Sequence, residues 1–353
     1  MSTESIAESR RQIQVCNACR YCEGYCSVFP ALQRERNFTD GNIIQLANLC
    51  HNCRGCYYAC QYAEPHEFKI NIPQTLANVR QQSWESFIGP QRLAIAFQHS
   101  GVTIALLLLA MVTAMFLLIG SLPSGTGPGF YAWMSHAVMV TIFLPAFFLP
   151  LVVTAIGLRR YWKTVGGTPV RWSHLHAALV QAATLRNLSG GRDQGCNFEA
   201  GDRFTRRRRN FHQATMWGFL LCFASTSVAT IMHYAFGMVA PYGLLSLPKL
   251  LGIPGGILLV AGCLGLIWLK LKADPELGAT TVWSGEMAFI LLLGLTGLTG
   301  LALFAATGTS LVSGLLAVHL GCVLSLFLLL PYSKMVHGFF RLAALVREAQ
   351  QQT

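Results

Sequence analysis

The chain has 353 residues, of which 53% are hydrophobic and only 12% are charged, and its mean hydropathy is +0.46. Soluble proteins carry about 25% charged residues, so this composition excludes an ordinary soluble domain and favours a membrane protein. The formal net charge of +11 suits either binding to nucleic acid or basic loops beside a membrane, and the positions of the charges decide between them.

Two copies of the pattern CxxCxxCxxxC stand near the start of the chain, one from Cys16 to Cys26 and one from Cys50 to Cys60. Thiolates are soft ligands that suit iron, and this spacing is typical of proteins with two [4Fe-4S] clusters, in which the fourth cysteine of each motif binds the other cluster. Structural zinc, which prefers paired CxxC knuckles, leaves the regular eight-cysteine pattern unexplained. The sequence therefore predicts one cluster held by Cys16, Cys19, Cys22 and Cys60, and a second held by Cys50, Cys53, Cys56 and Cys26.

Residues 1–92 are predicted to form a small helical ferredoxin-like domain around these cysteines. Thr39 or Asp40 is a good cap for a helix from Asn42 to Leu49, and no strand-like alternation surrounds it. The proline that usually follows the fourth cysteine is absent, since Ser27 and Gln61 stand there instead. The first fifteen residues hold no apolar run, so we expect no secretory signal and a cytoplasmic N-terminus.

After this domain the chain is predicted to cross the membrane about six times, because six segments approach the roughly 20 apolar residues needed to span a bilayer. The all-α fold would then be a helical head followed by a transmembrane region over residues 93–338. A Pro- and Gly-rich stretch from Ser121 to Phe130 favours an external turn after the first span. The predicted spans are Leu93 to Gly120, Phe130 to Leu158, Phe211 to Ala235, Ile253 to Leu269, Met287 to Ala306 and Leu311 to Tyr332.

The basic residues lie almost entirely on one side of this predicted topology. Eleven of the 26 Lys and Arg residues fall in the loop from Arg159 to Arg209, and only Lys249 falls on the opposite side from the head. Because basic loops stay in the cytoplasm, the pattern predicts that the head, the loop 159–210 and a C-terminal tail, residues 339–353, are all cytoplasmic. The run Arg206 to Arg209 is then a topology signal beside anionic lipid, and no nucleic acid is needed to explain the net charge.

Four histidines near the ends of two predicted spans favour haem. His212 and His233 in the third span are separated by roughly 31 Å of helix, and His319 and His337 in the sixth by roughly 27 Å, which is near the thickness of the hydrocarbon. An eighteen-residue separation in one helix returns His319 and His337 to the same face. The topology predicts an inner haem b between His212 and His337 and an outer haem b between His233 and His319. His99 and His136 are alternatives for either pair.

The remaining cysteines are isolated, and none is predicted to be a ligand. Cys222, Cys263 and Cys322 lie in apolar spans and are expected to be small core residues, whereas Cys196 is expected to be exposed in the basic loop. His174 and His176 are expected to be neutral loop histidines. No residue of the chain is predicted to be catalytic.

With these features the sequence resembles the tricarballylate-utilisation protein B family of bacterial membrane iron-sulfur proteins, which is also called the citrate-utilisation B family. The resemblance covers essentially the whole chain. It is carried by the two cysteine motifs and by the stretches Gln61 to Pro73, GCNF at Gly195 to Phe198, Phe211 to Tyr234, APYGLLSLP at Ala240 to Pro248, LTGLTGLAL at Leu295 to Leu303 and Ala317 to Gly338.

The resemblance implies a partner, a soluble FAD-dependent tricarballylate dehydrogenase whose reduced flavin must be reoxidised. It implies that this chain passes electrons from the flavin to the bacterial inner membrane, with quinone as the acceptor. Two other functions are compatible with the residues: a permease with an iron-sulfur redox sensor, or a quinone-linked partner of an enzyme like heterodisulfide reductase.

Overall fold

The computed structural model describes residues 2–121, 131, 133–190, 194–199 and 201–352. Every regular secondary-structure element in these residues is a helix, and the only β structure is two isolated bridges. This confirms the predicted all-α fold. The predicted external turn after the first span lies outside the described residues. The helices are α1 (Thr3–Cys19), α2 (Val28–Arg34), α3 (Asp40–Leu49), α4 (Gly55–Tyr58), α5 (Ile72–Phe87), α6 (Gln91–Ser121), α7 (His136–Thr164), α8 (Trp172–Thr184), α9 (Arg207–Phe236), α10 (Leu247–Leu271), α11 (Trp283–Ala305), α12 (Val312–Leu329) and α13 (Val336–Gln352).

Helices α1 to α5 form the head. Thr39 begins α3 as predicted: its Oγ1 accepts a hydrogen bond from the backbone N–H of Asn42 at 3.3 Å. The core of the head includes the fully buried Ile43 and Leu46 of α3 and Leu76 of α5. The apolar face of α3 therefore holds the segments that carry the cysteines.

Six of the described helices, α6, α7, α9, α10, α11 and α12, are long and apolar enough to cross a membrane by length and composition, which agrees with the predicted number. Several run past the predicted ends: α7 continues to Thr164 and α10 begins at Leu247. We call the ends of the spans that adjoin the head the head side of the membrane, and the opposite ends the far side.

The C-terminal residues, predicted as a tail, lie in the amphipathic helix α13. Its apolar face joins the core of the head, since Phe340 and Ala344 are fully buried there. The Nε2 of Gln45 donates to the carbonyl oxygen of Ala344 at 2.8 Å, and the buried Glu348 forms an ion pair with Arg34 of α2. Head, α7 and α13 are therefore packed as one body.

Two predictions about local structure were wrong. The basic loop contains a helix, α8, which the search for spans passed over because it is too short to cross a bilayer. The sixth span ends at Leu329, two residues before Pro331, and His337 lies in the separate helix α13. The argument that eighteen residues return His319 and His337 to one helix face therefore does not apply, because proline interrupts the helix.

The two spans α9 and α10 approach each other closely through glycines. A Cβ atom at Gly262 would lie 2.5 Å from the backbone nitrogen of Thr215 and 2.8 Å from the carbonyl oxygen of Phe211. A Cβ at Gly218 would meet the backbone of α10 in the same way, at 2.4 Å from the nitrogen of Leu259. Small residues at such contacts are the usual means of helix association in membranes.

Replacing Gly262 by leucine should therefore force α9 away from α10, because the obstructing atoms belong to the backbone and cannot rotate away. We expect a loss of about 3 kcal/mol of stability, at the upper end for an overpacked site. Thermal unfolding in detergent checks this, with Gly314→Leu as the matched control, since a Cβ there meets nothing within 4 Å. Equal melting temperatures for the two variants would contradict the close contact.

Candidate iron-sulfur and histidine sites

The eight cysteines of the two motifs are free thiols. Burial first, and then the neighbouring Cys60, Cys22 and Cys19, raise the pKa of Cys16 to about 12. Burial, Cys53 and Cys50 raise the pKa of Cys26 well above its usual value. The neighbours of Cys16 thus include Cys60 of the second motif, and those of Cys26 include Cys50 and Cys53 of that motif as well as Cys22 of its own. Crossed ligation of two clusters requires such neighbours, and the two ligand sets stay a prediction.

The two motifs also share an uncommon backbone conformation. Arg20 and Arg54 each follow the second cysteine of their motif, and both adopt the left-handed region, with φ of 59° and 67°. A side chain in this region costs of order 1 kcal/mol, so it is kept where the surrounding structure requires it. Both motifs thus turn at the same position, directly after the second cysteine.

Within the described residues, no three His, Cys, Asp or Glu side chains converge tightly enough to hold a single metal ion. A four-iron cube does not require such convergence, since each cysteine binds a separate corner. The eight free thiols are a chemically suitable donor set for two cubes, because soft thiolates are the ligands that such clusters use.

Arginines surround the loop of the second motif. Arg80 of α5 and Arg341 of α13 each donate to the carbonyl oxygen of Cys50 at 2.7 Å, and Arg208 of α9 donates to that of Asn52 at 2.6 Å. Arg54 is itself 97% buried, and burial first, then Arg208, lowers its pKa to about 10. These positive charges suit a site that carries the negative charge of thiolates.

The GCNF stretch closes over the same loop. The backbone N–H of Asn197 donates to the carbonyl oxygen of Cys53 at 2.9 Å, and the ring of Phe198 lies between Arg208 at 4.1 Å and Arg54 at 4.6 Å. The prediction that Cys196 is exposed was wrong, since it is 1% exposed. It is buried because it packs with Cys53, Leu185 and Leu188, and its S–H donates to the carbonyl oxygen of Leu188.

Of the candidate haem ligands, His212 and His337 face each other on the head side. Their ring centroids are 5.8 Å apart and the rings are nearly perpendicular, at 85°. Two imidazoles that bind one metal from opposite sides have centroids roughly 6 Å apart, since metal–nitrogen bonds are about 2.0 Å long. The Nδ1–H of His337 donates to the carbonyl oxygen of Lys334, which leaves Nε2 as the free ligand atom. The Nδ1 of His212 is buried without a partner.

On the far side, the neighbour of His233 is His136, and not His319, which was its predicted partner. The two rings are stacked with centroids 4.5 Å apart and planes 16° apart. His319 instead lies against α11, where its Nδ1 is 3.0 Å from the Oγ1 of Thr299. The Nδ1 of His233, like that of His212, is buried and has no partner.

Phenylalanine side chains line the space between the two histidine pairs. Phe147 of α7 stacks on Phe223 of α9, with centroids 6.2 Å apart, and meets Phe327 of α12 at 5.3 Å. Phe219 and Phe143 extend this stack. Between α7, α9 and α12 there is thus a layer of packed aromatic side chains, with a histidine pair at each end.

Sequence reasoning missed the connection between the histidine pair and the second cysteine loop. On α9, Arg208 precedes His212 by four residues, and on α13, Arg341 follows His337 by four residues. Residues four apart share a helix face. Both arginines therefore reach the Cys50 to Cys53 loop from the helix faces that bring the two histidines together. The repeated spacing of Arg and His by four residues was the signal available in the sequence.

His51 lies between the two sites. Its Nδ1–H donates to the carbonyl oxygen of Leu49 at 2.8 Å, and burial first, then Arg341, holds its pKa well below the usual range. His212 and Arg208 act on it in the same direction. His51 is thus a buried imidazole next to Cys50, and Arg208, Arg341 and His212 lie near enough to act on it.

The fold and these sites define a multi-pass membrane protein with an iron-sulfur head. The family model described as citrate utilization protein B matches residues 89–353, and that of its Fer4-like domain matches residues 9–86. The chain belongs to the citrate utilization protein B family. It is similar to the citrate utilization protein B of Escherichia coli, with 44% identity over 98% of this chain and 93% of that protein. No solved structure matches the chain.

Proposed function

We propose that this chain is the electron-transfer protein of a citrate or tricarballylate utilisation system. It reoxidises the reduced flavin of a partner tricarballylate dehydrogenase and passes the electrons to membrane quinone. The family, with its Fer4-like domain, supports the role in utilisation of these acids. When bound, two [4Fe-4S] clusters and haem b would carry the electrons one at a time.

The observation that carries the proposal is the double contact of α9 and α13 with the second cysteine loop. Arg208 and Arg341 fix the loop to the same two helices that present His212 and His337. The chain thereby holds the Cys50 to Cys53 loop against the helices of the histidine pair, and Phe198 packs between Arg54 of that loop and Arg208. Fixed, short separations in a dry interior are what an electron relay requires of its protein.

The division of roles along the chain follows from this. We assign the cysteine ligands as predicted, the inner haem to His212 and His337, and the region 1–92 to the cytoplasmic side of the bacterial inner membrane. The positions of Arg159, Arg160 and the run Arg206 to Arg209 on the head side support this orientation, because basic residues mark the cytoplasmic face.

Quinol formation by the reconstituted protein tests the proposal. In nanodiscs that contain quinone, addition of the flavin dehydrogenase and tricarballylate should produce quinol only when both proteins are present. The same mixture should bleach the visible absorbance of the clusters before quinol appears. Uptake of labelled tricarballylate into vesicles without any quinol formation would favour a permease and contradict the proposal.

For the outer haem, the position of His136 beside His233 supports it as the partner of His233 in place of the predicted His319, which is hydrogen-bonded to Thr299. The two rings are stacked with centroids 4.5 Å apart, so they would have to separate to about 6 Å to bind one iron from opposite sides. We expect His136→Ala to lose about half of the reduced Soret band and His319→Ala to keep it. The reverse result, with haem lost in His319→Ala alone, would restore the pairing of His233 with His319.

A further inference from the structure

Helix α8 exposes an apolar face that no other part of the described chain covers. Trp172 is 72% exposed, Val180 48% and Leu179 42%. These residues recur at spacings of seven and eight on one side of the helix, where Ser173 and His176 are exposed as well. The opposite side, with His174 and Ala178, is buried and packs on α13. A tryptophan and two aliphatic side chains that face outward together need an apolar surrounding.

Both ends of α8 are fastened to the head-side ends of spans. At its C-terminal end, Arg209 and Gln213 of α9 donate to the carbonyl oxygens of Thr184 at 3.0 Å and Ala183 at 3.3 Å. At the other end, α7 ends at Thr164, and Arg347 of α13 donates to the carbonyl oxygen of Val165 at 3.1 Å. The helix is roughly 20 Å long and lies in the chain between the head-side ends of α7 and α9.

The charges around this face have one sign. From Arg159 to Gly190 the sequence contains no Asp or Glu. Arg159, Arg160, Arg171 and Arg186 are exposed on either side of the apolar residues. An apolar face bordered by cations matches the surface of a bilayer with anionic headgroups, where each Lys or Arg contributes about 1 kcal/mol. Trp is a residue that favours this depth of the membrane.

We propose that α8 lies in the headgroup layer on the head side, with Trp172, Leu179 and Val180 inserted among the acyl chains and the flanking arginines bound to anionic lipid. The helix then fixes the height at which α13, and through it the head, sits above the bilayer. This role is independent of the proposed electron transfer, because it depends only on lipid contact.

Quenching by brominated lipid in nanodiscs of the full chain tests insertion. The fluorescence of Trp172 is obtained as the difference between the wild type and Trp172→Phe. Lipids brominated near the top of the acyl chain should quench most of it. The matched control is Trp84→Phe, since Trp84 is buried in the head and its difference signal should be unaffected.

Two results would overturn the proposal. One is a Trp172 signal quenched by acrylamide from water but not by brominated lipid. The other is a signal shielded only after the flavin dehydrogenase is added, which would make α8 a docking surface for that protein.

Native mass spectrometry tests the charge contribution. The double variant Arg171→Gln, Arg186→Gln should retain less phosphatidylglycerol than the wild type. Lys69→Gln, which changes an exposed cation of the head paired with Glu64, should retain as much as the wild type. Equal retention by all three proteins would contradict binding of anionic lipid by the flanking arginines.

Discussion

Replacing Cys60 by alanine should abolish one of two iron-sulfur EPR signals, and it should be the same signal that Cys16→Ala abolishes. Cys60 belongs to the second motif in sequence, but its thiol is a neighbour of Cys16, and we predict it as the fourth ligand beside Cys16, Cys19 and Cys22. Loss of one thiolate leaves a cube with an open corner, so we expect the cluster to be lost and quinol formation to fall to background. Cys26→Ala should remove the other signal, together with Cys50→Ala.

The comparison among these four variants decides whether each motif lends its fourth cysteine to the other cluster or holds one cluster alone. If each motif closed on its own cube, Cys26→Ala would leave the same residual spectrum as Cys16→Ala, and crossed ligation would be refuted. Cys196→Ser is the matched control, because Cys196 is a buried cysteine that packs against Cys53 yet belongs to neither group. Its hydroxyl can keep the hydrogen bond to Leu188, so both signals should remain.

Replacing either His212 or His337 by alanine should remove the same haem. Their facing rings offer one ligand atom each, and a six-coordinate haem b that loses one imidazole is bound weakly or becomes high-spin. We expect the low-spin Soret contribution of the inner haem to disappear in both variants, both cluster signals to remain and quinol formation to fall at least tenfold.

The exposed His176 of α8 provides the control for these variants. His176→Gln should keep the full haem spectrum, because the ring stands outside both histidine pairs. A His337→Ala protein with an unchanged reduced spectrum would refute the assignment of the inner site.

The parts of the fold that depend on local chemistry were predictable from the sequence. Length and apolarity are sufficient to find the six spans, since a bilayer imposes both. The cap at Thr39 follows from side-chain chemistry alone. The crossed ligand sets stay a prediction from the duplicated spacing, in which a cube takes three ligands from one tight turn and the fourth from elsewhere.

The parts that depend on packing between distant segments were not predictable in the same way. The burial of Cys196 depends on contact with Cys53, more than a hundred residues earlier, and no local pattern encodes that contact. The place of His136 beside His233 depends on how α7 and α9 are turned toward each other, which a span prediction does not determine. Helix α8 was not predicted, because its 13 residues are too few to resemble a membrane span.

Chemical analysis of the anaerobically purified protein tests the central claim most directly, since every later step requires iron in the head. We predict iron and acid-labile sulfide in the amounts of two four-iron cubes, with further iron as haem b, and two interacting cluster signals in the EPR spectrum after reduction by dithionite. Zinc in the cysteine groups, or the absence of labile sulfide from protein kept free of oxygen, would contradict the account.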